Sequence, residues 1–138
     1  MKRIFIDTNI IIDILMQRNG YLNSASVLAL SKKEDTLLFV SVLTMANIAY
    51  ILRKSLRGDD FYSEIKKISS LVTVLDTTSK HFMSALELQA KDFEDALQYY
   101  CAISNECDII VTRNKKDFTF SSIKVLTPEE FLDMKITE

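Results

Sequence analysis

The chain has 138 residues, of which 48% are hydrophobic, only two are glycine and one is proline. This length and composition predict a single globular domain over residues 1–138 and exclude a disordered or low-complexity chain. The formal net charge of −2 excludes a global positive field, so a polyanionic partner would need a local basic patch. The presence of one histidine argues against a zinc centre and against a histidine-based catalytic triad.

Cysteine usage and the N-terminal segment bear on where the protein works. Cys101 and Cys107 lie on or near one predicted helix, and we expect both to be free thiols in a reducing cytoplasm. The basic N-terminus and the apolar residues after it resemble the start of a signal peptide. The apolar stretch is interrupted too early, however, by Asp7, Asn9 and Asp13. No other run is long enough to cross a bilayer, so we expect a cytoplasmic protein that makes no membrane contact.

Strand-like and helix-like segments alternate along the chain. Short β-branched runs predict strands at 3–6, 37–41, 72–75, 108–112 and 123–126. Helical periodicity predicts helices at 8–17, 22–34, 41–56, from 59 onward, 77–91, 92–106, and a short final helix with Pro128 in its first turn. We expect Gly58 to end the third helix and His81 to be an ordinary surface residue. This alternation predicts an α/β fold, a three-layer α/β/α sandwich around a central, mostly parallel sheet.

Acidic residues follow two distant strands of this predicted sheet. Asp7 ends the run at 3–6, and the run at 109–111 leads into a polar loop that reaches Asp117. Parallel open sheets place their ligand sites along the carboxyl edge of the strands, so these two carboxylates have a reason to meet. A third acidic group opens the helix at 92, namely Asp92, Glu94 and Asp95. Each acid alone has an equally good explanation as a helix cap or turn residue.

Oxygen ligands in this number, without histidine or thiolate, suit a hard divalent cation such as Mg²⁺. A cation would offset the repulsion between carboxylates, lower the pKa of a bound water and grip a phosphate oxygen. The pattern therefore predicts phosphodiester hydrolysis. Neighbouring polar side chains would orient the carboxylates or the water: Thr8, Asn9, Thr112 and Asn114.

Four blocks of the sequence resemble, in order, the successive motifs of PIN domains. They are FIDTNI at 5–10, SVLTMAN at 41–47, DFEDAL at 92–97 and VTRNKKDF at 111–118. One block alone would be weak, but four in sequence cover essentially the whole chain. The resemblance implies a PIN-like fold and a ribonuclease that depends on Mg²⁺ or Mn²⁺. In bacteria it commonly implies the toxin of a toxin–antitoxin pair, inhibited by a small antitoxin protein.

The resemblance also implies which residues form the site. Asp7, Asp95 and Asp117 match the catalytic acids and, together with Glu94, the metal ligands, and Asn114 is the alternative to Asp117 for the last position. Most members have glutamate where this chain has Asn47, although a subgroup that the chain resembles has asparagine. An amide carries no charge, so cation affinity falls unless neighbouring acids compensate, the candidates being Glu94 and Asp92. An RNA backbone would be neutralised by Arg113, Lys115 and Lys116.

Two alternatives follow from the same residues. Asn47 favours a PIN-like module of weak or absent activity that binds RNA or a protein partner without cutting. The third predicted helix carries apolar side chains on more than one face, so it is either buried in the monomer or part of a homodimer face. Asn9 disfavours a phosphatase of the haloacid dehalogenase type, which has its second aspartate at that position.

Overall fold

Five parallel strands form one sheet in the computed structural model, which describes residues 2–33 and 35–137. The strands are β1 (Lys2–Ile6), β2 (Thr36–Ser41), β3 (Thr73–Leu75), β4 (Ile109–Val111) and β5 (Lys124–Leu126). Their order across the sheet is β3-β2-β1-β4-β5, and every neighbouring pair is parallel. The predicted central sheet is confirmed, with strand ends that differ from the predicted ones by one residue at most.

The strands are joined by helices, as the alternating pattern predicted. The helices are α1 (Thr8–Leu15), α2 (Tyr21–Ala29), α3 (Val42–Leu52), α4 (Gly58–Ser69), α5 (Ser79–Leu88), α6 (Phe93–Ser104) and α7 (Pro128–Thr137). Short 3-10 helices span Leu30–Lys32 and Lys115–Phe118. The predicted helix at 22–34 is therefore too long, because its α-helical part ends at Ala29, and its last predicted residue lies outside the described residues.

Two further predictions about helix residues were wrong. Gly58 opens α4 instead of closing α3, and the acidic pair that follows it lies in the first turn, where the helix dipole favours negative charge. His81 is buried instead of lying on the surface. Its Nδ1 accepts the Thr78 backbone N–H at 3.0 Å, while the Thr78 hydroxyl accepts the His81 N–H at 3.2 Å, which forms a capping box for α5.

Side chains that alternate along each strand fill two separate cores. One face of β1 contributes Ile4 and Ile6 to a core that it shares with α1, α2, α3, α4 and α7. The opposite face contributes Phe5 to a core built mainly with α6, in which Tyr99 and Phe118 are buried. Helices on both faces of the sheet make the three layers that the sequence predicted.

The described residues also bear on membrane insertion and on the state of the two cysteines. No helix among them is both long enough and apolar enough to span a membrane. Cys101 and Cys107 are free and buried, as expected, and burial raises the pKa of both thiols.

Candidate metal centre

An open cleft of about 370 Å³ lies at the carboxyl edge of the sheet. Residues from both ends of the chain line it, because β1 and β4 are neighbours and their carboxyl ends meet there. The lining includes the acids Asp7, Asp92, Glu94, Asp95 and Asp117, the amides Asn9, Asn47, Gln98 and Asn114, and Thr8. The structure therefore brings every predicted acid into one cavity.

Asp7 lies at the bottom of the cleft and is held by two hydrogen bonds. It caps α1, and its Oδ1 accepts the backbone N–H of Thr8 at 2.9 Å. Its Oδ2 accepts the hydroxyl hydrogen of Thr112 at 2.8 Å, and that hydroxyl in turn accepts the Asn114 N–H at 3.1 Å. Thr112 follows β4 directly, so Asp7 is fixed by both strands that end at this edge. Each carboxylate oxygen keeps a further lone pair for a ligand.

The second group of acids comes from the start of α6. Asp92 caps this helix by accepting the Asp95 N–H at 3.0 Å. Glu94 accepts a hydrogen bond from the Asn47 side-chain amide of α3 at 2.8 Å. This contact uses the Nδ2 donor of Asn47 and leaves its carbonyl oxygen available as a ligand. The N-terminal ends of α1 and α6 both face the cleft, and their dipoles favour the negative charge collected there.

The crowding of carboxylates raises the pKa of two of them. The pKa of Asp95 rises to about 8, first because burial disfavours its charged form and then because Asp7, Asp92, Asp117 and Glu94 repel it. The pKa of Asp7 rises to about 6, again mainly through burial, although its hydrogen bonds to Thr112 and Thr8 oppose the rise. The cleft is therefore costly to ionise fully unless positive charge enters it.

A buried hydrogen-bond network lies behind the acids and joins three helices. Gln98 of α6 is 1% exposed, and its Nε2 donates to Thr8 Oγ1 at 3.0 Å and to Thr44 Oγ1 at 2.7 Å. Its Oε1 accepts the Ser41 hydroxyl hydrogen at 2.6 Å. The sequence reading missed this residue as a site residue. Its spacing of one helical turn after Asp95 was the available signal, because residues three apart share a helix face.

The basic residues predicted to bind RNA do not line this cleft. Arg113 pairs with the buried Asp13 at 2.8 Å and donates to the Asn19 carbonyl at 2.6 Å. Lys115 pairs with Glu130 at 3.0 Å on the surface, and Lys116 is exposed. The described lining of the cleft holds no lysine or arginine. RNA contact by these three residues stays a prediction.

The donor set of the cleft fits a hard divalent cation. Carboxylate and amide oxygens face it without a thiolate or imidazole, and the raised pKa of Asp95 marks a place where positive charge would be stabilising. Within the described residues, no three acidic, histidine or cysteine side chains are gathered closely enough to hold an ion as they stand. This geometry suits Mg²⁺ or Mn²⁺ better than a fully protein-ligated ion, since Mg²⁺ uses one or two carboxylates and keeps several waters.

The sequence matches the model of a known protein family. The model of the PIN domain matches residues 3–116. This range includes four of the five acids of the cleft and ends one residue before Asp117. The chain belongs to the PIN-domain family. It is 31% identical to Ribonuclease VapC1 of Aquifex aeolicus over 140 aligned positions, which cover 96% of this chain and 94% of that protein.

Solved structures share the PIN fold of this chain. VapBC-1 from nontypeable Haemophilus influenzae matches with a TM-score of 0.71 at 20% identity, covering 92% of this chain and 98% of that one. The DNA-bound VapBC from Salmonella typhimurium matches with a TM-score of 0.68 at 19% identity, covering 93% and 99%. At these identities the likeness concerns the fold.

Proposed function

We propose that this PIN-domain protein is an endoribonuclease that hydrolyses RNA phosphodiesters in the acidic cleft with Mg²⁺ or Mn²⁺. The observation that carries the proposal is the meeting of five carboxylates from three chain segments in one open cavity, with the pKa of Asp95 raised to about 8. The 31% identity to a protein named a ribonuclease supports RNA as the substrate.

The residues of the cleft divide the work between them. We assign Asp7, Asp95, Asp117 and Glu94 as the groups that hold the cation, either directly or through water, and Asp92 and Asn47 line the same cleft. Asp7 is the most rigid of these, because Thr8 and Thr112 fix both of its oxygens. When bound, the cation would place positive charge beside the phosphate oxygens and lower the pKa of water, so that hydroxide is available as the nucleophile. Asn9 and Asn114 line the same cleft and are placed to orient water or phosphate by hydrogen bonds.

The proposal is tested by removing one charge at a time. Asp7→Asn and Asp95→Asn keep side-chain size and should lower Mg²⁺- or Mn²⁺-dependent cleavage of single-stranded RNA by about a hundredfold or more, beyond the loss typical of residues around a metal ligand. Asp133→Asn is the matched control, since Asp133 is exposed on α7 away from the cleft. Circular dichroism of each variant checks that the fold is intact.

A second candidate function is favoured by Asn47, which lowers the charge of the site. In this alternative the chain binds RNA or a protein partner and does not cut. Binding of RNA by the wild-type protein, with no turnover at any Mg²⁺ or Mn²⁺ concentration, would establish the binding module and exclude the nuclease.

We also propose that the protein is the toxin of a toxin–antitoxin pair, working in the cytoplasm and held inactive by a small antitoxin protein. Support comes from the structure of a toxin–antitoxin complex from Klebsiella pneumoniae, which shares the fold of this chain with a TM-score of 0.67 at 20% identity. Expression alone should arrest bacterial growth, and co-expression of the small protein encoded beside it should relieve the arrest. Expression of the Asp95→Asn variant is the control, and arrest by that variant would contradict the link to nuclease activity. A homodimer remains a prediction, which the mass from light scattering decides.

A further inference from the structure

Part of the lining of the acidic cleft is an apolar wall. Ile12 of α1 and Tyr50 and Ile51 of α3 line this wall. Tyr50 is 55% exposed and lies one helical turn beyond Asn47, which is itself bonded to Glu94. Residues three apart on a helix are neighbours, so the Tyr50 ring is adjacent to the acids that we assign to the cation. A cation needs no apolar wall, and the wall therefore indicates that the cleft also receives an apolar group.

Two cations directly follow the last residue of α3 and lie over the ring of Tyr50. The Arg53 guanidinium lies 4.2 Å from the centre of the Tyr50 ring, and the Lys54 ammonium lies 5.2 Å from it. Both side chains are exposed, and no ion pair joins either of them to a carboxylate of the described chain. They differ in this from Arg113 and Lys115, whose charges are paired with Asp13 and Glu130.

We infer that Tyr50, Arg53 and Lys54 form a subsite that binds single-stranded RNA next to the cleaved phosphate. A base stacks on the ring of Tyr50 in place of the cations that lie over it, and Arg53 and Lys54 then contact the backbone phosphate beyond it. Asn47, Tyr50, Arg53 and Lys54 follow one another in the chain, so the acids bonded at Asn47 come first, then an aromatic ring, then positive charge. An aromatic ring flanked by unpaired cations is the combination that binds unpaired nucleotides, because every base has a stacking face and every linkage a negative charge.

The subsite selects single strands over duplexes. In a duplex the bases are already stacked on one another and are not available to a side chain at the surface. The inference deepens the proposed function, since it names the form of RNA that the nuclease accepts.

The test measures binding without cleavage. Fluorescence anisotropy of a short, labelled single-stranded RNA is recorded in EDTA, where no turnover occurs. Tyr50→Leu should weaken binding about tenfold, within the range seen when a stacking residue is lost, and Tyr50→Phe should bind as the wild type does. Arg53→Gln should weaken binding about threefold and flatten the dependence of affinity on salt.

Two controls separate stacking from a general surface effect. Tyr62 on α4 is 64% exposed and does not line the cleft, so Tyr62→Leu should leave binding unchanged. A probe of equal length that lacks its bases should bind the wild type and Tyr50→Leu equally, because only the backbone remains to be contacted.

The outcomes are distinct from those that test nuclease activity. Equal affinity of Tyr50→Leu and the wild type, or an equal loss on the probe without bases, overturns the subsite. A change in mass by light scattering in Tyr50→Leu, with RNA affinity unchanged, would assign Tyr50 to contact with a second copy of the chain and also overturns it. Base-dependent binding by a wild-type protein that never cuts would support the subsite while the proposed hydrolysis fails.

Discussion

Asn47 donates its side-chain amide hydrogen to Glu94 across the mouth of the acidic cleft, at 2.8 Å. This contact joins α3 to the first turn of α6, and it lies at the position where the resemblance in the sequence implies a glutamate in most family members. A neutral donor at this position stabilises Glu94 without a cation, whereas a glutamate would repel it. We therefore expect Asn47, compared with a glutamate, to lower the affinity for a cation and to raise the stability of the metal-free protein.

The first prediction follows from this exchange. Asn47→Glu should lower the free energy of unfolding in EDTA by about 1 kcal/mol, because a hydrogen bond is lost and a like charge is added. It should also tighten Mn²⁺ binding severalfold, since affinity for hard cations rises with the number of charged ligands. Urea denaturation and isothermal titration calorimetry measure the two effects. Asn47→Gln controls for the loss of the native geometry, and a variant more stable than wild type in EDTA would contradict the argument.

The second prediction concerns pH. The pKa of Asp95 is raised to about 8 and that of Asp7 to about 6, both from an ordinary value of 3.8. At pH values between the ordinary and the raised pKa of each group, the native metal-free state therefore binds more protons than the unfolded chain. Its stability falls as pH rises through that range. Urea denaturation in EDTA should show a lower midpoint at about pH 8.5 than at about pH 6.5. Saturating Mn²⁺ should remove most of the difference.

The Asp95→Asn variant isolates the contribution of that carboxyl group. Its stability should change less between the two pH values and should exceed that of the wild type at the higher one. His81 cannot cause this fall, because burial lowers its pKa from 6.5 and its titration therefore raises stability as pH rises. A wild-type midpoint that stays flat or rises with pH would show that the pKa of Asp95 is not raised in the native protein.

The third prediction concerns the buried network behind the acids. Gln98→Met keeps the length of the side chain but removes its bonds to Thr8, Thr44 and Ser41. We expect Mn²⁺ affinity to fall about tenfold, at the lower end of the effect of residues that support metal ligands, because Gln98 acts through Thr8 and not on Asp7 directly. Backbone amide exchange of Thr8, Thr44 and Asp95 should become faster in the metal-free variant.

The control for this variant is the next residue of the same helix. Tyr99→Phe removes the hydroxyl that is bonded to Ser122 at 2.8 Å on the opposite side of α6. Tyr99→Phe loses a partly buried hydrogen bond outside the Gln98 network. Its loss of stability should therefore be similar to that of Gln98→Met, and its Mn²⁺ affinity should be unchanged. Equal loss of Mn²⁺ affinity in the two variants would show that Gln98 matters only for general stability.

The sequence predicted the features that depend on local pattern. Short apolar runs gave all five strands, the three buried central ones and also the edge strands β3 and β5, whose residues are half-buried or exposed. The placement of Asp7 and Asp117 in one cleft also followed, since the carboxyl ends of neighbouring parallel strands share an edge. Gly58 was placed wrongly because a glycine between two helices fits the end of one as well as the start of the other.

Contacts between distant segments were beyond local pattern. Gln98 reaches Thr8 across 90 residues of sequence, and Arg113 reaches Asp13 across 100. Nothing in the residues around Arg113 distinguishes a charge that binds RNA from one that is already paired. The pairing depends on how α1 and the loop after β4 pack, which is a property of the tertiary structure.

The fourth prediction concerns this pairing of Arg113 with Asp13. The side chain of Asp13 is 6% exposed, that of Arg113 is 33% exposed, and Arg18 contributes a second, longer contact to Asp13 at 3.8 Å. Arg113→Met should lower the free energy of unfolding by about 2 kcal/mol, less than for a fully buried pair because Arg113 is partly solvated and Arg18 remains. Lys116→Met, in the same loop, should change it by less than about 0.5 kcal/mol.

A double-mutant cycle separates the ion pair from other effects of Arg113. Asp13→Asn removes the buried charge, so adding Arg113→Met to it should cost less than Arg113→Met costs in the wild type. The measurement is urea denaturation of the four proteins, paired with RNA anisotropy in EDTA. The contrary result is an Arg113→Met variant whose stability is unchanged and whose RNA binding is weakened as much as in Arg53→Gln. That result would show that Arg113 contacts RNA and that its ion pair with Asp13 does not stabilise the loop. An unaltered RNA affinity with a clear loss of stability would show that Arg113 fixes the loop that carries Asn114 and Asp117, and that the RNA strand is bound elsewhere on the rim.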